Sequence, residues 1–212
     1  MVPENITRYV ESIIPERSGL IEEMERYAKE HRVPIMELTG IETLLQLLRM
    51  KEPDTILEIG TAIGYSAIRM AQALPNVHIY TIERDEDRYK RALDYINRAG
   101  LEGRIHILLA DALEAKDKLP DSIQFGAIFI DAAKGQYARF FELYSPMLSE
   151  GGTIISDNVL FKGLVAEEHV NHKRIRPMVE KLKKYNKMLM GHEEYDTAIL
   201  PVGDGIAISK KR

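Results

Sequence analysis

Apolar residues recur every three or four positions over the first fifty residues, and this spacing predicts three amphipathic helices. The predicted helices cover residues 3–14, 18–31 and 37–50, with Pro15 and Pro34 between them. After Thr55 the pattern changes to short apolar runs rich in β-branched residues, each followed by an amphipathic stretch. The pattern therefore divides the chain into a helical N-terminal extension, residues 1–50, and a region of alternating elements.

The alternating region predicts five strands, at residues 55–60, 78–83, 104–111, 127–131 and 153–157. Helices are predicted from Ser66, Asp85 and Tyr137, and a further helix between the third and fourth strands. Strands that alternate with helices form a parallel sheet covered on both faces. The chain ends differently, because two apolar runs joined by Gly203-Asp204-Gly205 predict an antiparallel hairpin.

Composition narrows the classes of protein. A chain of 212 residues with 45% hydrophobic residues suits one domain over residues 1–212. We expect a soluble, unexported, cytoplasmic protein, since no apolar run reaches the roughly 18 residues of a membrane span and the N-terminus lacks a signal-peptide pattern. Cysteine is absent, so a bound metal needs oxygen or imidazole ligands, and hard cations are favoured.

The charged residues do not decide whether the protein binds nucleic acid. A net charge of −4 argues weakly against a protein that coats nucleic acid without specificity. A basic run nevertheless lies in the C-terminal third, at Lys173, Arg174, Arg176, Lys181, Lys183 and Lys184. Such a run is typical of a solvated helix face, and it also suits contacts with phosphates.

A glycine-containing loop follows the first predicted strand, where Glu58-Ile59-Gly60-Thr61-Ala62-Ile63-Gly64 leads into a helix. Glycines allow tight turns and close approach of a ligand at the carboxyl ends of the strands. Ala62 replaces the middle glycine of the dinucleotide motif G-x-G-x-x-G, which favours a ligand without a pyrophosphate. S-adenosylmethionine fits, because Glu58 can order the loop while backbone groups and the helix N-terminus meet the cofactor. A purely structural turn is the alternative.

Two further acids follow predicted strands. Glu83 ends the second strand about twenty residues after the glycine loop, where a carboxylate can accept hydrogen bonds from ribose hydroxyls. The alternative is that Glu83 caps the helix beginning at Asp85. Asp111 and Ala112 follow the third strand, where the adenine would lie, and an exposed loop aspartate is the alternative there.

Asp131, Asp157 and Asn158 follow the fourth and fifth strands, so they reach the same rim as Glu58 and Glu83. Oxygen ligands from two strand ends suit a magnesium ion, although each aspartate alone could be an ordinary loop residue. Lys134 follows in Asp-Ala-Ala-Lys and could act as a general base toward a substrate hydroxyl. A structural ion pair with Asp131 is the alternative for Lys134.

Three segments together resemble the cation-dependent O-methyltransferases, which include catechol and caffeoyl-coenzyme A methyltransferases. They are residues 58–66, 130–137 and 156–160, and the likeness runs from Val33 to Ser209. It implies the class I S-adenosylmethionine-dependent methyltransferase fold: α/β, doubly wound, with a mostly parallel seven-stranded sheet, a C-terminal antiparallel hairpin and N-terminal helices. It also implies a homodimer.

The resemblance implies roles for individual residues. Asp131, Asp157 and Asn158 would bind Mg²⁺ or another divalent cation, with Lys134 as the base and Asp131 beside it in catalysis. The cofactor residues would be Met36, Glu58, Gly60, Tyr65, Ser66, Glu83, Asp111, Ala112 and Asp131.

Within the family the closer resemblance is to bacterial enzymes that methylate 5-hydroxyuridine at the wobble position of tRNA. Residues 31–36, 157–166 and 201–210 carry it. The 5-hydroxyl and 4-carbonyl oxygens of that base are vicinal, so they can chelate one metal ion as a catechol does. The partner would be the tRNA anticodon stem-loop. Its phosphates would contact basic residues after Asn158, namely Lys162, Lys173, Arg174 and Arg176.

Three other functions compete with this interpretation. A methyltransferase acting on a small catechol-like phenol would use the same metal site without RNA. A nucleotide-binding oxidoreductase is disfavoured by the missing middle glycine. A non-catalytic RNA-binding module is disfavoured by 7% aromatic residues and no tryptophan, because such modules stack bases on aromatic side chains.

Overall fold

The computed structural model describes residues 2–17, 19–120, 122–168, 170 and 173–212. Its helices are α1 (Glu4–Ile13), α2 (Leu20–His31), α3 (Leu38–Lys51), α4 (Tyr65–Ala73), α5 (Glu86–Arg98), α6 (Tyr137–Tyr144) and α7 (Arg176–Met190). Its strands are β1 (Thr55–Ile59), β2 (His78–Glu83), β3 (Ile105–Leu109), β4 (Phe125–Ile130), β5 (Leu148–Ser156), β6 (Tyr195–Leu200) and β7 (Ile206–Lys211). None of the helices in these ranges is long and apolar enough to cross a membrane.

The strands form one seven-stranded sheet in the order β3-β2-β1-β4-β5-β7-β6. Strands β1 to β5 pair in parallel, and β7 pairs antiparallel with both β5 and β6. Parallel neighbours need long crossovers, which the intervening helices supply, while β6 and β7 form a hairpin. The predicted doubly wound sheet with a C-terminal antiparallel hairpin is confirmed.

Alternating residues of the central strands pack against different helices, because side chains along a strand point to opposite faces. Ile56 of β1 and Phe129 of β4 pack with residues from α2, α3, α4 and α5. Leu57 of β1 and Ile128 of β4 pack with residues from α6 and α7. Both faces of the sheet are therefore covered by helices.

The predicted helix between β3 and β4 is wrong. This connection forms a single 3-10 turn at Lys116–Lys118. Ala112, Ala115 and Leu119 are buried at helical spacing, which explains the prediction. Asp111, however, accepts a hydrogen bond from the Leu113 N–H, and Pro120 follows the turn, so the backbone is held in turns and cannot extend into a helix.

The N-terminal extension is helical as predicted, but its three helices are buried to different extents. Helices α2 and α3 contribute Met24, Leu44 and other residues to the core. Helix α1 has no buried residue and exposes Ile6 and Ile13. Between α1, α3 and the turn before β7 lies an open groove of about 960 Å³.

Candidate active site

The loops that follow β1, β4 and β5 are joined to the neighbouring strands by backbone hydrogen bonds. The Gly60 N–H donates to the Ile82 carbonyl at 3.1 Å, and the Asp131 N–H donates to the Ile59 carbonyl at 3.0 Å. The Asp157 N–H in turn donates to the Ile130 carbonyl at 3.0 Å. The parallel ladder thus continues past the strand ends, and it brings Gly60, Asp131 and Asp157 to one rim as predicted.

Gly60 lies against the backbone of Asp131. Its φ of +102° is in the region that favours glycine, and a Cβ there would stand 2.2 Å from the Asp131 carbonyl oxygen. Gly64, with φ of +85°, then precedes the first residue of α4. The two glycines let the chain turn from β1 into α4 within a short loop, so the free N–H groups of the α4 N-terminus lie at the rim.

Glu58 lies beneath this loop and is fully buried. One carboxylate oxygen accepts a hydrogen bond from the Ser66 hydroxyl, and the other accepts one from the Thr81 hydroxyl at 2.5 Å. Burial raises the pKa of Glu58 to about 7, although the two hydroxyls lower it. The predicted role in ordering the loop fits these contacts, whereas direct contact of Glu58 or Ser66 with the cofactor stays a prediction.

Glu83 holds the same loop from the end of β2. Its carboxylate accepts hydrogen bonds from the backbone N–H groups of Ala62 at 2.8 Å and of Arg84 and Asp85 at 2.9 Å. The N-cap of α5 is Asp85, whose side chain accepts from the Arg88 N–H. The alternative that Glu83 caps this helix is therefore wrong, and its role as ribose ligand stays a prediction.

The remaining predicted cofactor residues differ in exposure. Met36 and Ala112 are both buried. Asp111 is exposed at the end of β3, 3.9 Å from the Arg84 guanidinium. The Tyr65 side chain lies on the other side of the loop, because its hydroxyl donates to Glu25 in α2 at 2.7 Å. A contact between Tyr65 and the cofactor would therefore use the backbone N–H.

Asp131, Asp157 and Asn158 form the candidate metal site. Asp157 is 4% exposed and accepts a hydrogen bond from the Asn158 N–H at 2.7 Å. Burial and the negative charge of Asp131 raise the pKa of Asp157 to about 7, and burial also raises the pKa of Asp131. A divalent cation would offset the repulsion between these carboxylates.

The chemistry of this set fits a hard cation. Across the described ranges no three His, Cys, Asp or Glu side chains are grouped to hold a metal, so the candidate ligands are two carboxylates and the Asn158 amide. All three groups can offer oxygen, the donor that Mg²⁺ prefers, and so few protein ligands leave coordination positions for water or substrate. Asn158 also has φ of +55°, and backbone strain of this kind is concentrated at functional sites.

Lys134 lies beside the candidate metal site on a 3-10 turn, Lys134–Gln136. Its positive charge lowers the pKa of both Asp131 and Asp157, although burial outweighs this effect. No ion pair between Lys134 and Asp131 is found in the described structure, so that alternative is not supported. The ammonium lies 5.9 Å from the centre of the Phe161 ring. The role of Lys134 as the base stays a prediction.

Asp204 fixes the loop after Asn158, a role that the sequence did not reveal. Its carboxylate accepts a hydrogen bond from the Lys162 N–H at 2.6 Å, and its carbonyl accepts from the N–H groups of Leu160 and Phe161. Phe161 and Lys162 both have positive φ, which costs energy for residues with a side chain. The Gly203-Asp204-Gly205 motif therefore does more than turn the hairpin, since it stabilises a strained loop next to the candidate metal site.

Tyr137 is a second residue that sequence reasoning did not assign. It is 1% exposed, and its hydroxyl has no hydrogen-bond partner in the described structure. Burial raises the pKa of this hydroxyl, and the negative charges of Asp131 and Asp157 raise it further. Its position in the segment 130–137, which carries the family resemblance, was the only signal in the sequence.

The four residues predicted to contact RNA fall into two places. Lys162 lines the groove beside α1 and α3. Lys173, Arg174 and Arg176 are exposed at the start of α7, and Arg176 is its first residue.

Known proteins are similar to this chain in both sequence and fold. A model of the O-methyltransferase family matches residues 11–212. A catechol O-methyltransferase from Niastella koreensis is 36% identical over 177 residues, which is 78% of this chain and 77% of the relative. A caffeoyl-CoA O-methyltransferase from Populus kitakamiensis is 29% identical over 188 residues, or 84% of this chain and 77% of the relative.

Solved structures of O-methyltransferases have the same fold as this chain. A protein from Staphylococcus aureus, provisionally described as a caffeoyl-CoA O-methyltransferase, superposes with a TM-score of 0.93 at 35% identity, covering 99% of this chain and 100% of that one. An O-methyltransferase from Bacillus cereus in complex with SAH gives a TM-score of 0.86 at 25% identity, covering 98% and 97%. As its motifs predicted, the chain belongs to the cation-dependent O-methyltransferase family and is an S-adenosylmethionine-dependent O-methyltransferase of the caffeoyl-CoA and catechol type.

Proposed function

We propose that this enzyme methylates the 5-hydroxyl of 5-hydroxyuridine at the wobble position of tRNA, giving 5-methoxyuridine, and that it uses Mg²⁺. The homodimer and the anticodon stem-loop partner implied by the resemblance belong to this proposal. The vicinal 5-hydroxyl and 4-carbonyl oxygens match a site in which two aspartates and an asparagine leave coordination positions open.

The residues at the rim would divide the chemistry among them. Asp131, Asp157 and Asn158 would hold Mg²⁺, which when bound supplies Lewis acidity and orientation to the substrate oxygens. Lys134, as the neutral amine that a neighbouring dication favours, would accept the proton of the 5-hydroxyl, because the attacking oxygen must be an anion. Glu83 and the loop after β1 would hold S-adenosylmethionine so that its methyl group lies in line with that oxygen.

The proposal of an RNA substrate rests on the basic surface of α7, which lies next to the 3-10 turn that carries Lys134. The position of a Cβ on Gly135, which adjoins Lys134, lies 3.8 Å from the Lys181 ammonium. Against the single exposed acid Glu180, the helix exposes four basic residues, Arg176, Lys181, Lys184 and Lys187. Such a surface can contact phosphates while the base enters the site.

A second candidate function, methylation of a small catechol-like phenol, is favoured by the groove. Its walls are largely apolar, and its charged residues are Glu4, Glu37, Glu42, Asp204 and Lys162. An excess of carboxylates repels a phosphate backbone, whereas an uncharged aromatic ring can pack on apolar walls. The catechol and caffeoyl-CoA relatives also point to phenolic substrates.

One experiment separates the two candidates. The purified enzyme is given S-adenosylmethionine, Mg²⁺ and either tRNA containing 5-hydroxyuridine or a simple catechol, and the products are measured by mass spectrometry of nucleosides and phenols. We expect 5-methoxyuridine to form faster than methylated catechol, and no product from tRNA that lacks the hydroxyl. If only catechol is methylated, the tRNA assignment is wrong and the second candidate replaces it.

The metal is tested in the same assay. We expect Asp157→Ala to abolish methyl transfer while S-adenosylmethionine binding, measured by calorimetry, largely survives, because the Asp157 carboxylate would face the metal. Asp131→Ala should lose activity and also weaken cofactor binding. Full activity of Asp157→Ala in the presence of a chelator would rule out metal-assisted transfer for either substrate.

A further inference from the structure

The hydroxyl of Tyr137 differs from those of the two neighbouring buried tyrosines. The Tyr185 hydroxyl is hydrogen-bonded to the Ser156 hydroxyl at 2.7 Å, and the Tyr144 hydroxyl donates to the Ala112 carbonyl at 2.5 Å. Tyr137 packs edge-on against Tyr185, with ring centres 5.6 Å apart, yet its own hydroxyl has no partner in the described structure. The three rings share one core cluster, so the difference lies in the polar surroundings.

A buried hydroxyl without a partner destabilises a fold, because it has given up its hydrogen bonds to water. Replacement by phenylalanine would remove this cost and keep the ring. An unpaired hydroxyl beside a polar site therefore indicates a partner that takes its position only when a ligand binds. Tyr137 begins α6, directly after the turn that carries Lys134, and so lies beside the candidate metal site.

The surroundings of Tyr137 identify the acceptor. Tyr137 packs in the same core cluster as Ile130, the residue that directly precedes Asp131. Burial, followed by the negative charges of Asp131 and Asp157, raises the pKa of its hydroxyl, which therefore remains a donor. One oxygen of Asp157 already accepts from the Asn158 N–H. No hydrogen bond to the Asp131 carboxylate is found among the described residues, so that carboxylate is the acceptor with free capacity.

We propose that Tyr137 is a positioning residue for the metal site, and that its hydroxyl donates a hydrogen bond to the Asp131 carboxylate when that carboxylate binds Mg²⁺. A carboxylate that binds a metal through one oxygen leaves the other free to accept this bond. The bond would hold Asp131 in the orientation the metal requires, as outer hydrogen-bond partners of metal ligands commonly do. The inference rests on the proposed metal site and adds a residue that is not a metal ligand.

The test compares Tyr137→Phe with the matched variant Tyr185→Phe, which removes a hydroxyl from the adjacent ring. Isothermal titration with magnesium chloride, in the presence of S-adenosylhomocysteine, gives the Mg²⁺ dissociation constant of each protein. Loss of an outer hydrogen-bond partner typically weakens metal binding about 10–100-fold. We therefore expect the Mg²⁺ affinity of Tyr137→Phe to be about tenfold or more below that of the wild type. Tyr185→Phe should stay within about twofold, because its hydroxyl bonds Ser156 and not a metal ligand.

Thermal unfolding of the metal-free proteins gives an independent result. Tyr137→Phe should melt at or above the wild-type temperature, because it removes an unpaired hydroxyl. Tyr185→Phe should melt lower, because it leaves the Ser156 hydroxyl unpaired. A purely structural role for the Tyr137 hydroxyl would instead lower the melting temperature and leave Mg²⁺ binding unchanged.

The outcomes separate this inference from the proposed function. If the wild type binds no Mg²⁺, the proposed metal site is wrong and the inference falls with it. If the wild type binds Mg²⁺ and Tyr137→Phe binds it equally well, only the inference is overturned. A tenfold loss in Tyr137→Phe without a loss of melting temperature supports both.

Discussion

Gly60 brings the loop after β1 into direct contact with the backbone of Asp131, a residue of the candidate metal site. A Cβ at this position would stand 2.2 Å from the Asp131 carbonyl oxygen, and φ of +102° is strained for any other residue. We expect Gly60→Ala to lower the free energy of unfolding by about 1–3 kcal/mol from backbone strain alone. It should also displace Asp131 and weaken both cofactor and metal binding.

The matched control for Gly60→Ala is Gly103→Ala, because a Cβ at Gly103 would meet nothing within 4 Å. Urea unfolding and calorimetry with S-adenosylmethionine measure the two effects. Equal stability and affinity in both variants would show that the loop can move away from Asp131 without loss.

Glu83 has two tasks in this structure, since it already binds the Ala62 N–H and is predicted to bind the ribose hydroxyls. We expect Glu83→Ala to weaken S-adenosylmethionine binding by about 1.5–3 kcal/mol, the range for hydrogen bonds to a charged group. The control is Asp85→Ala, which removes the N-cap of α5 and should cost about 1 kcal/mol of stability without changing cofactor affinity. A Glu83→Ala dissociation constant equal to that of the wild type would mean that Glu83 has no ribose contact.

Helix α7 and the residues before it allow a test of the substrate at the scale of one element. We expect reversal of charge at Lys173, Arg174 and Arg176 to weaken tRNA binding steeply and flatten its salt dependence, because each lost phosphate contact removes nearly one unit of slope. Affinity for S-adenosylmethionine and the rate with a catechol should not change, since neither ligand needs this surface.

Methylation of tRNA by this triple variant at two salt concentrations, beside catechol methylation, measures the effect. Reversal of Lys116 and Lys118, on the 3-10 turn between β3 and β4, provides a control in which two charges are reversed at another place on the surface. Unchanged tRNA methylation in the triple variant would mean that Lys173, Arg174 and Arg176 do not contact the tRNA phosphates.

Elements with a strong repeating pattern were predictable from the sequence, and connections were not. The nearly continuous burial of β1 and β4 and the hairpin at the chain end follow from the order of apolar residues. The connection before β4 has helical spacing too, but one Asx hydrogen bond and Pro120 decide its shape. Short-range competition of this kind is invisible to a count of apolar positions.

The residues of the candidate site also divide into those that could be predicted from the sequence and those that could not. Acids that end strands, such as Asp131 and Asp157, could be predicted to share a rim, because the sheet fixes where parallel strands end. Asp204 and Tyr137 could not, since the first acts through a turn distant in sequence and the second through a hydroxyl that lacks a partner. Both depend on packing between elements that no single segment encodes.

At the scale of the whole molecule, three buried or partly buried carboxyls meet at one rim and affect stability together. The pKa values of Glu58 and Asp157 are raised to about 7, and that of Asp131 is also raised, chiefly by burial. A raised pKa means that the native state holds protons that the unfolded chain has lost. The contribution of these three carboxyls to the free energy of unfolding is therefore fully present below about pH 4. It is lost as the pH rises to about 7 and above.

We expect the metal-free protein to lose stability between pH 5 and pH 8, by at least about 1 kcal/mol since one pKa unit corresponds to about 1.4 kcal/mol. Glu58→Gln should make this slope shallower, because glutamine does not titrate. Urea unfolding at several pH values in the presence of a chelator measures the slope. A metal-free protein more stable at pH 8 than at pH 5 would contradict the raised pKa values.

Magnesium should reverse this loss, because in the proposed metal site it would bind the two aspartates in their charged form. At a concentration one hundred times its dissociation constant, the ion adds about 2.7 kcal/mol to the stability of the native state. We expect this gain at pH 8 and a smaller one at pH 5, where protons compete for Asp131 and Asp157. Glu58→Gln should keep the gain, since Glu58 bonds Ser66 and Thr81 beneath the loop, whereas Asp157→Ala should lose it. An equal gain in Asp157→Ala would place the ion elsewhere on the protein.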